Sequence, residues 1–347
     1  MNPSVTQKER IVSLDIIRGL ALFGILFINV TAYQVIIEGG PMPDFSGING
    51  IIDKLINIFV EKKFFSIFSF LFGVGFYIFA SRAESRGDKP RWRFARRLFA
   101  LLVIGIVHFF VFWGSILAIY AVIGFFLLPF YHAKVSTISK WLFSLITVHV
   151  IAIVMQIFVP ITGVVSTVCG LLGNDAVAIF IMFLSGFLVA KADWVSHVRE
   201  FSKQIKWIQI TTFPLFIGFS IWIWFAAQGN DQNLQSILGL GVIPTTYFYL
   251  CTLFLLLENN WIAKLLQPIG RVGQMAFTNY WAQSFIGLGL ISLMGLEVVS
   301  PHHVVIIATL TFLIQIIYSV IWFKFFKMGP LEKLWRFMTY GRIITTK

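Results

Sequence analysis

Two polar tracks of equal length carry the residues of this sequence that are best suited to chemistry. In the first, Asp15 and Arg18 are three residues apart, so they share one face of a helix and can form an ion pair. Asn29 follows Arg18 by almost three helical turns and lies on the same face, roughly 16 Å further along. Polar side chains within an apolar helix usually serve function. The structural alternative is a local ion pair whose arginine extends to water, with one polar contact between helices.

The second track begins at Arg97 and ends at His108, with the same spacing. This places His108 on the face of Arg97 and predicts that the two tracks frame one elongated slot. A neutral imidazole at that depth can act as a general base. The alternative is a histidine that is satisfied by a single hydrogen bond between helices.

A polar stripe marks a later segment, where Asn279, Tyr280, Gln283 and Ser284 follow one another at helical spacing. They occupy one side of a helix, and so much polarity is too costly to face lipid. We therefore expect the stripe to line an internal cavity, and we expect the ends of the two tracks to share it.

Lys63 opens the run Lys63–Gly75 and is a cation on the predicted outer, acidic side of the membrane, against the positive-inside rule. We therefore expect it to face protein or a ligand. In the same run, Ser69 and Gly73 form a pair of small residues that is typical of helix packing. The two glycines around Val74 follow no predicted strand, so they are not a dinucleotide-binding fingerprint.

The composition requires a membrane. Of 347 residues, 58% are hydrophobic and 12% are charged, with 38 Phe and 11 Trp. A soluble domain is nearer half apolar and a quarter charged, so lipid must solvate much of this chain. The two cysteines, Cys169 and Cys251, have no ligand spacing and predict neither a metal site nor a disulfide framework.

The chain divides into ten apolar segments long enough to span a bilayer. The sequence predicts an all-α, polytopic membrane helix bundle of about ten transmembrane helices in one domain, 1–347. Residues 326–347 form a cytoplasmic tail with a short amphipathic helix at the interface. The predicted spans are 15–37, 63–81, 94–113, 115–131, 138–160, 176–192, 207–228, 234–257, 275–295 and 303–325.

The basic residues orient the bundle. With the N-terminus inside, 24 of the 27 Lys and Arg residues fall in cytoplasmic segments, and residues 82–97 hold seven of them. This is the positive-inside pattern, and it predicts that both termini are cytoplasmic. The formal charge of +12 is distributed among short loops rather than gathered in one patch, so nucleic acid is not the expected partner.

Five motifs resemble those of the YeiB-like bacterial membrane proteins, whose C-terminal half is known as a domain of unknown function. The resemblance covers nearly the whole chain. The motifs are Arg10–Asn29, Lys63–Gly75, the run from Arg96-Arg97 through His108 to Tyr120-Ala121, the run from Gly270-Arg271 through Thr278-Asn279-Tyr280 to Gln283-Ser284, and the run from Gly329-Pro330-Leu331-Glu332 to Thr339-Tyr340-Gly341.

The opening motif is also similar to two groups of membrane acyltransferases, the bacterial enzymes that acetylate envelope sugars and the lysosomal heparan glucosaminide acetyltransferases. The resemblance implies a shared acyltransferase-like bundle with an entrance for acyl-CoA near Arg18. This chain differs at two positions. Asn29 stands where the bacterial enzymes usually have His, and Ser115 stands where YeiB-like chains commonly have Asp.

These features favour a membrane acyltransferase that moves an acyl group from cytosolic acyl-CoA to an extracytoplasmic or envelope acceptor. His108 and Asn29 are the expected catalytic residues: His108 deprotonates the acceptor and Asn29 orients the thioester carbonyl. No cofactor is expected to be tightly bound; acyl-CoA is the co-substrate, and the partners are the bilayer and a small-molecule or glycan acceptor. The expected binding residues are Asp15, Arg18, Lys63, Arg97, Tyr120, Asn279, Tyr280 and Gln283.

Two other functions fit the same residues. A transporter or exporter of a small polar or anionic solute would use the polar tracks without chemistry, and a catalytically inactive scaffold or sensor would use them only for packing. Solute flux without acyl-CoA would identify the transporter, whereas covalent acyl transfer would identify the enzyme.

Overall fold

The computed structural model describes residues 4–33 and 43–341, with side chains described from residue 12 onwards. Within these ranges the chain is all-α, as predicted. One short 3-10 turn, Leu128–His132, also occurs. The α-helices are α1 (Ser4–Ala32), α2 (Gly47–Phe59), α3 (Lys63–Glu84), α4 (Pro90–Phe109), α5 (Leu117–Phe125), α6 (Val135–Phe158), α7 (Gly163–Leu172), α8 (Asp175–Lys191), α9 (Ser202–Gln228), α10 (Leu234–Leu257), α11 (Asn260–Leu265), α12 (Gln267–Gln274), α13 (Ala276–Leu293), α14 (Pro301–Phe325) and α15 (Pro330–Tyr340).

Seven stretches of the described residues are long and apolar enough to cross a membrane. Two of them join a short helix to a longer one, α2 with α3 and α7 with α8. The stretches are Val12–Ala32, Gly47–Glu84, Val135–Phe158, Gly163–Lys191, Ser202–Gln228, Leu234–Leu257 and Pro301–Phe325. The chain is therefore a multi-pass membrane protein.

The other three predicted spans coincide with α4, with α5 and the 3-10 turn, and with α13. These elements fall outside the seven because of arginines in the first turns of α4, the short length of α5 and the polar stripe in α13. The helices α2, α7, α11 and α12 were not predicted. The predicted end of the first span at 37 and the end of the tail at 342–347 lie outside the described residues.

Glycines allow the central helices to cross closely. A Cβ at Gly73 in α3 would overlap the carbonyl of Phe183 in α8, and one at Gly186 in α8 would overlap the carbonyl of Phe70 in α3. The backbones are thus in direct contact, as the small-residue pattern around Gly73 predicted. A similar contact joins Gly273 of α12 to the carbonyl of Asp15 in α1.

Two prolines lie within helices. Pro214 lies inside α9. Pro244 lies in the middle of α10. Lipid-embedded helices accept proline where neighbouring groups satisfy the freed carbonyl.

Candidate functional site

A cavity of about 260 Å³ lies among the central helices. Its side-chain polar groups lie at two ends. Two arginines, a glutamine, a glutamate and a tryptophan lie at one end, two tyrosines lie at the other, and the walls between them are apolar. The lining residues are Arg18, Phe68, Leu71, Phe72, Gly75, Phe76, Phe94, Arg97, Leu101, Leu117, Tyr120, Gly273, Gln274, Ala276, Phe277, Tyr280, Glu332 and Trp335.

The arginine end unites the starts of the two tracks. Arg18 donates to Asp15 at 2.8 Å, so the predicted ion pair is present, and a longer contact of 3.4 Å reaches the carbonyl of Gly273. Arg97 stacks on Trp335, with its guanidinium carbon 3.8 Å from a ring centroid. No carboxylate of the described residues forms an ion pair with Arg97. This end of the cavity therefore carries a cation available to an anionic ligand.

Helix α15 holds the arginine end in place. The Trp335 indole N–H donates to the carbonyl of Arg97 at 2.8 Å. The Glu332 carboxylate accepts from the backbone N–H of Phe277 at 2.7 Å and from the Thr278 hydroxyl at 2.6 Å, so it caps the N-terminus of α13 from outside. Burial raises the pKa of Glu332, and its hydrogen bonds from Thr278 and Phe277 partly oppose that rise.

Tyr280 forms the other end together with Tyr120. The Tyr280 hydroxyl accepts from the backbone N–H of Ile116 at 3.2 Å, and it also lies near the side chains of Ser115 and Asn29. Tyr120 donates to the carbonyl of Phe65 at 2.7 Å. Tyr120 is therefore tied to α3, whereas the Tyr280 hydroxyl links the cavity to the ends of both tracks.

His108 lies behind Tyr280 and is fully buried. Its Nδ1 atom is 2.8 Å from the Ser115 hydroxyl, and its Nε2 atom is 3.3 Å from the Ser284 hydroxyl. The imidazole ring lies 5.4 Å from the Tyr280 ring and 4.7 Å from the Trp281 ring. A chain of polar groups thus runs from His108 through Ser115 to the Tyr280 hydroxyl.

The predicted slot requires a correction. Neither His108 nor Asn29 lines this cavity. The two residues do converge, because the hydroxyl of Tyr280 approaches Asn29 and the same hydroxyl approaches Ser115, the partner of His108. Any contact between either residue and a ligand in this cavity therefore passes through Tyr280.

Four predicted binding residues lie away from the cavity wall, and one of them, Asp15, is connected to it only through its ion pair with Arg18. Lys63 is fully buried and donates to the carbonyl of Asn57 at 2.6 Å, so it faces protein as expected. Asn279 faces α14, where its amide nitrogen lies 3.2 Å from the Ser319 hydroxyl. Gln283 is fully buried, and both its amide atoms lack a partner among the described residues.

Sequence reasoning missed the apolar wall and the role of α15. In α3, Phe68, Leu71, Phe72, Gly75 and Phe76 repeat at helical spacing and all face the cavity. The same spacing occurs on lipid-facing helices, so the pattern alone could not distinguish a cavity wall from a membrane surface. The described residues contain no cluster of three or more metal-ligating side chains.

The helices, the apolar spans and the internal cavity place this chain in the class of helical multi-pass membrane proteins. Residues 189–342 match the family described as a protein of unknown function, DUF418. The chain is 30% identical over 370 aligned positions to an uncharacterized 39.9 kDa protein encoded in the amylase 3′ region of Bacillus acidopullulyticus, covering 99% of this chain and 97% of the relative.

Two further relatives are similar along nearly their whole length. YxaH of Bacillus subtilis is 29% identical, with 98% of this chain and 96% of the relative covered. YeiB of Escherichia coli is 26% identical, with 95% and 96% covered. The chain therefore belongs to the YeiB-like family, which confirms the resemblance to that family. No solved structure matches it.

Proposed function

We propose that this protein is an acyl-CoA-dependent membrane acyltransferase. The observation that carries the proposal is the cavity with Arg18 and Arg97 at one end and Tyr280 at the other, connected to His108 through Ser115. This arrangement provides a site for an anionic group and a route for a proton, separated by an apolar passage. The similarity of the opening motif to membrane acyltransferases supports the same reaction.

The arginine end binds the phosphates of the donor. Guanidinium groups bind phosphate through paired N–H donors, and a stacked, preoriented guanidinium loses little freedom in doing so. Arg97 is held flat against Trp335 and has no acidic partner among the described residues. Arg18 is shared with Asp15, so it contributes less net charge.

The acyl group is transferred beside Tyr280. The acceptor hydroxyl or amine attacks the thioester carbonyl, forming the new acyl bond and breaking the carbon–sulfur bond. The acceptor's proton passes through the Tyr280 and Ser115 hydroxyls to His108, and the same route returns a proton to the CoA thiolate. Asn29 orients Tyr280, and through it the carbonyl. His108 thus acts through two hydroxyls instead of touching the acceptor.

The test measures binding and transfer with purified protein in detergent. We expect the wild type to bind radiolabelled acetyl-CoA and to pass the label to an acceptor from envelope extracts. Arg97→Ala should weaken binding, whereas Ser115→Ala should bind normally and transfer the label about a hundredfold more slowly. Failure of the wild type to bind acetyl-CoA would refute the proposal. Solute flux in proteoliposomes without acyl transfer would favour the exporter.

We further propose that the protein lies in the bacterial inner membrane with both termini in the cytoplasm. The distribution of basic residues supports this orientation, which brings the arginine end of the cavity to the cytosolic supply of acyl-CoA. A reporter fused after Lys347 should be active only if it functions inside the cell. Activity of a reporter that works only outside the membrane would reverse the orientation.

A further inference from the structure

Gly75 occupies an unusual place in the apolar wall of the cavity. Along the wall-forming face of α3 it is flanked by Phe72 and Phe76, and it is the position of that face without a side chain. A Cβ built at Gly75 meets no atom within 4 Å, so the space in front of it is open. Packing against another helix therefore does not explain the glycine.

Gly73, two residues earlier, shows what a packing glycine looks like in the same helix. A Cβ at Gly73 would overlap the backbone of α8 at Phe183. The two glycines point in different directions because successive helical positions are rotated by about 100°. The glycine pair thus has two separate roles, and only Gly73 is required for the helix crossing.

We propose that Gly75 keeps open the passage between the arginine end and Tyr280, and that it is a binding residue for the connecting arm of the donor. This inference rests on the proposed function, in which the donor is a CoA thioester. The passage has apolar walls at Phe72, Phe76 and Leu101 and takes a flexible, unbranched arm. A side chain at Gly75 would project into that passage and separate the phosphate site from Tyr280.

The consequence is a split between two parts of one ligand. The nucleotide head of CoA binds at Arg18 and Arg97 and does not need the passage. The pantetheine arm needs it in order to bring the thioester to Tyr280. A larger side chain at Gly75 therefore removes the contribution of the arm and leaves that of the head.

The experiment compares acetyl-CoA with adenosine bisphosphate, which corresponds to the nucleotide of CoA without its arm and the phosphate next to it, by equilibrium binding in detergent. The variants are Gly75→Ala, Gly75→Val and Gly75→Leu. The matched control is Gly218→Leu, because Gly218 also lies in a membrane helix and an added Cβ there meets nothing within 4 Å. Thermal unfolding identifies the variants that retain the fold. If Gly75→Leu does not fold, the smaller Gly75→Ala variant still provides a binding measurement.

We expect acetyl-CoA affinity to fall progressively from Ala to Leu, by at least about tenfold for Leu. Adenosine bisphosphate affinity should stay within about twofold of the wild type, and Gly218→Leu should bind both ligands normally. The inference would be overturned if folded Gly75→Val or Gly75→Leu bound acetyl-CoA as tightly as the wild type does. It would also be overturned if the wild-type protein bound acetyl-CoA and adenosine bisphosphate equally tightly. A wild type that binds neither ligand would instead refute the proposed function itself.

Discussion

The hydroxyl groups of the peripheral helix α9 and the polar groups around His108 are satisfied in different ways. In α9, only 11% of the most apolar stretch is buried, and the hydroxyls of Thr211, Thr212 and Ser220 bond to carbonyls of their own helix. In α1, 67% of that stretch is buried. Around the cavity, polar groups bond across helices, as His108 of α4 does to Ser284 of α13.

This difference shows which polar groups depend on the packing of the helices for their hydrogen bonds. A hydroxyl bonded within its own helix is satisfied wherever the helix lies, so lipid can surround it at low cost. A group bonded across helices is satisfied only if two helices keep one register. Substitutions at the periphery should therefore be tolerated, whereas those at the centre should affect either the fold or the function.

The largest expected effect is on helix packing. Gly73→Leu forces a side chain into the backbone of α8, and overpacking against a backbone cannot be relieved by a rotamer change. We expect a loss of more than about 3 kcal/mol, at the upper end of overpacking effects, and little folded protein in the membrane. Gly218→Leu, on the lipid-facing side of α9, should fold normally. Similar folded yields for the two variants would remove the distinction between centre and periphery.

The next largest effect distinguishes two buried histidines, because replacing one should slow acyl transfer and replacing the other should only lower stability slightly. His108 belongs to the polar chain at Tyr280, whereas His149 of α6 bonds at 2.8 Å to the carbonyl of Leu172, at the end of α7. We expect His108→Asn to slow acyl transfer by a factor of about 10² to 10⁴ while donor binding persists. His149→Asn should leave transfer unchanged and lower the melting temperature slightly.

Two results would contradict the predicted difference between His108 and His149. If both variants lose transfer equally, the effect is a general loss of structure. If neither loses it, His108 has only a packing role. Ser115→Asp adds a second test, because YeiB-like chains commonly have Asp at that position. An acidic partner for His108 should preserve transfer where Ser115→Ala loses it.

The sequence predicted the membrane fold well because the physical signal is strong. Long apolar runs have few alternatives to a helix in lipid, and the predicted span 234–257 has the same bounds as α10. The ion pair of Asp15 and Arg18 was predictable for a similar reason, since residues three apart in a helix are neighbours. Local rules determine both features.

The site was predicted less completely because its contacts join distant segments. The spacing from Arg97 to His108 predicts a shared face, but no sequence pattern places Tyr280 between His108 and the cavity. The capping of α13 by Glu332 joins residues more than fifty positions apart. Only the packing of α13 against α15 brings them together.

The smallest expected effect concerns two glutamates outside the membrane-spanning stretches. Glu332 caps the central helix α13, while Glu258, at the end of α10, pairs at 2.7 Å with the largely exposed Arg199. An exposed ion pair contributes little to stability, so Glu258→Gln should be nearly neutral. Glu332→Gln keeps the amide oxygen for the backbone N–H groups but loses one acceptor, and we expect a change of about 1 kcal/mol.

The dependence on pH distinguishes Glu332 from a simple hydrogen-bonding residue. Burial raises its pKa in the folded protein above the usual value of 4.5. Between the unfolded and folded pKa values the folded state binds more protons, so the free energy of unfolding falls as pH rises through that window. Gln cannot ionise, so thermal unfolding of Glu332→Gln should lack this component of the pH dependence. Parallel pH profiles for the wild type and Glu332→Gln would mean that folding leaves the proton affinity of this carboxyl unchanged. A profile that rises with pH only in the wild type would mean that the hydrogen bonds from α13 outweigh burial, and that the helix N-terminus binds the carboxylate more strongly than burial disfavours it.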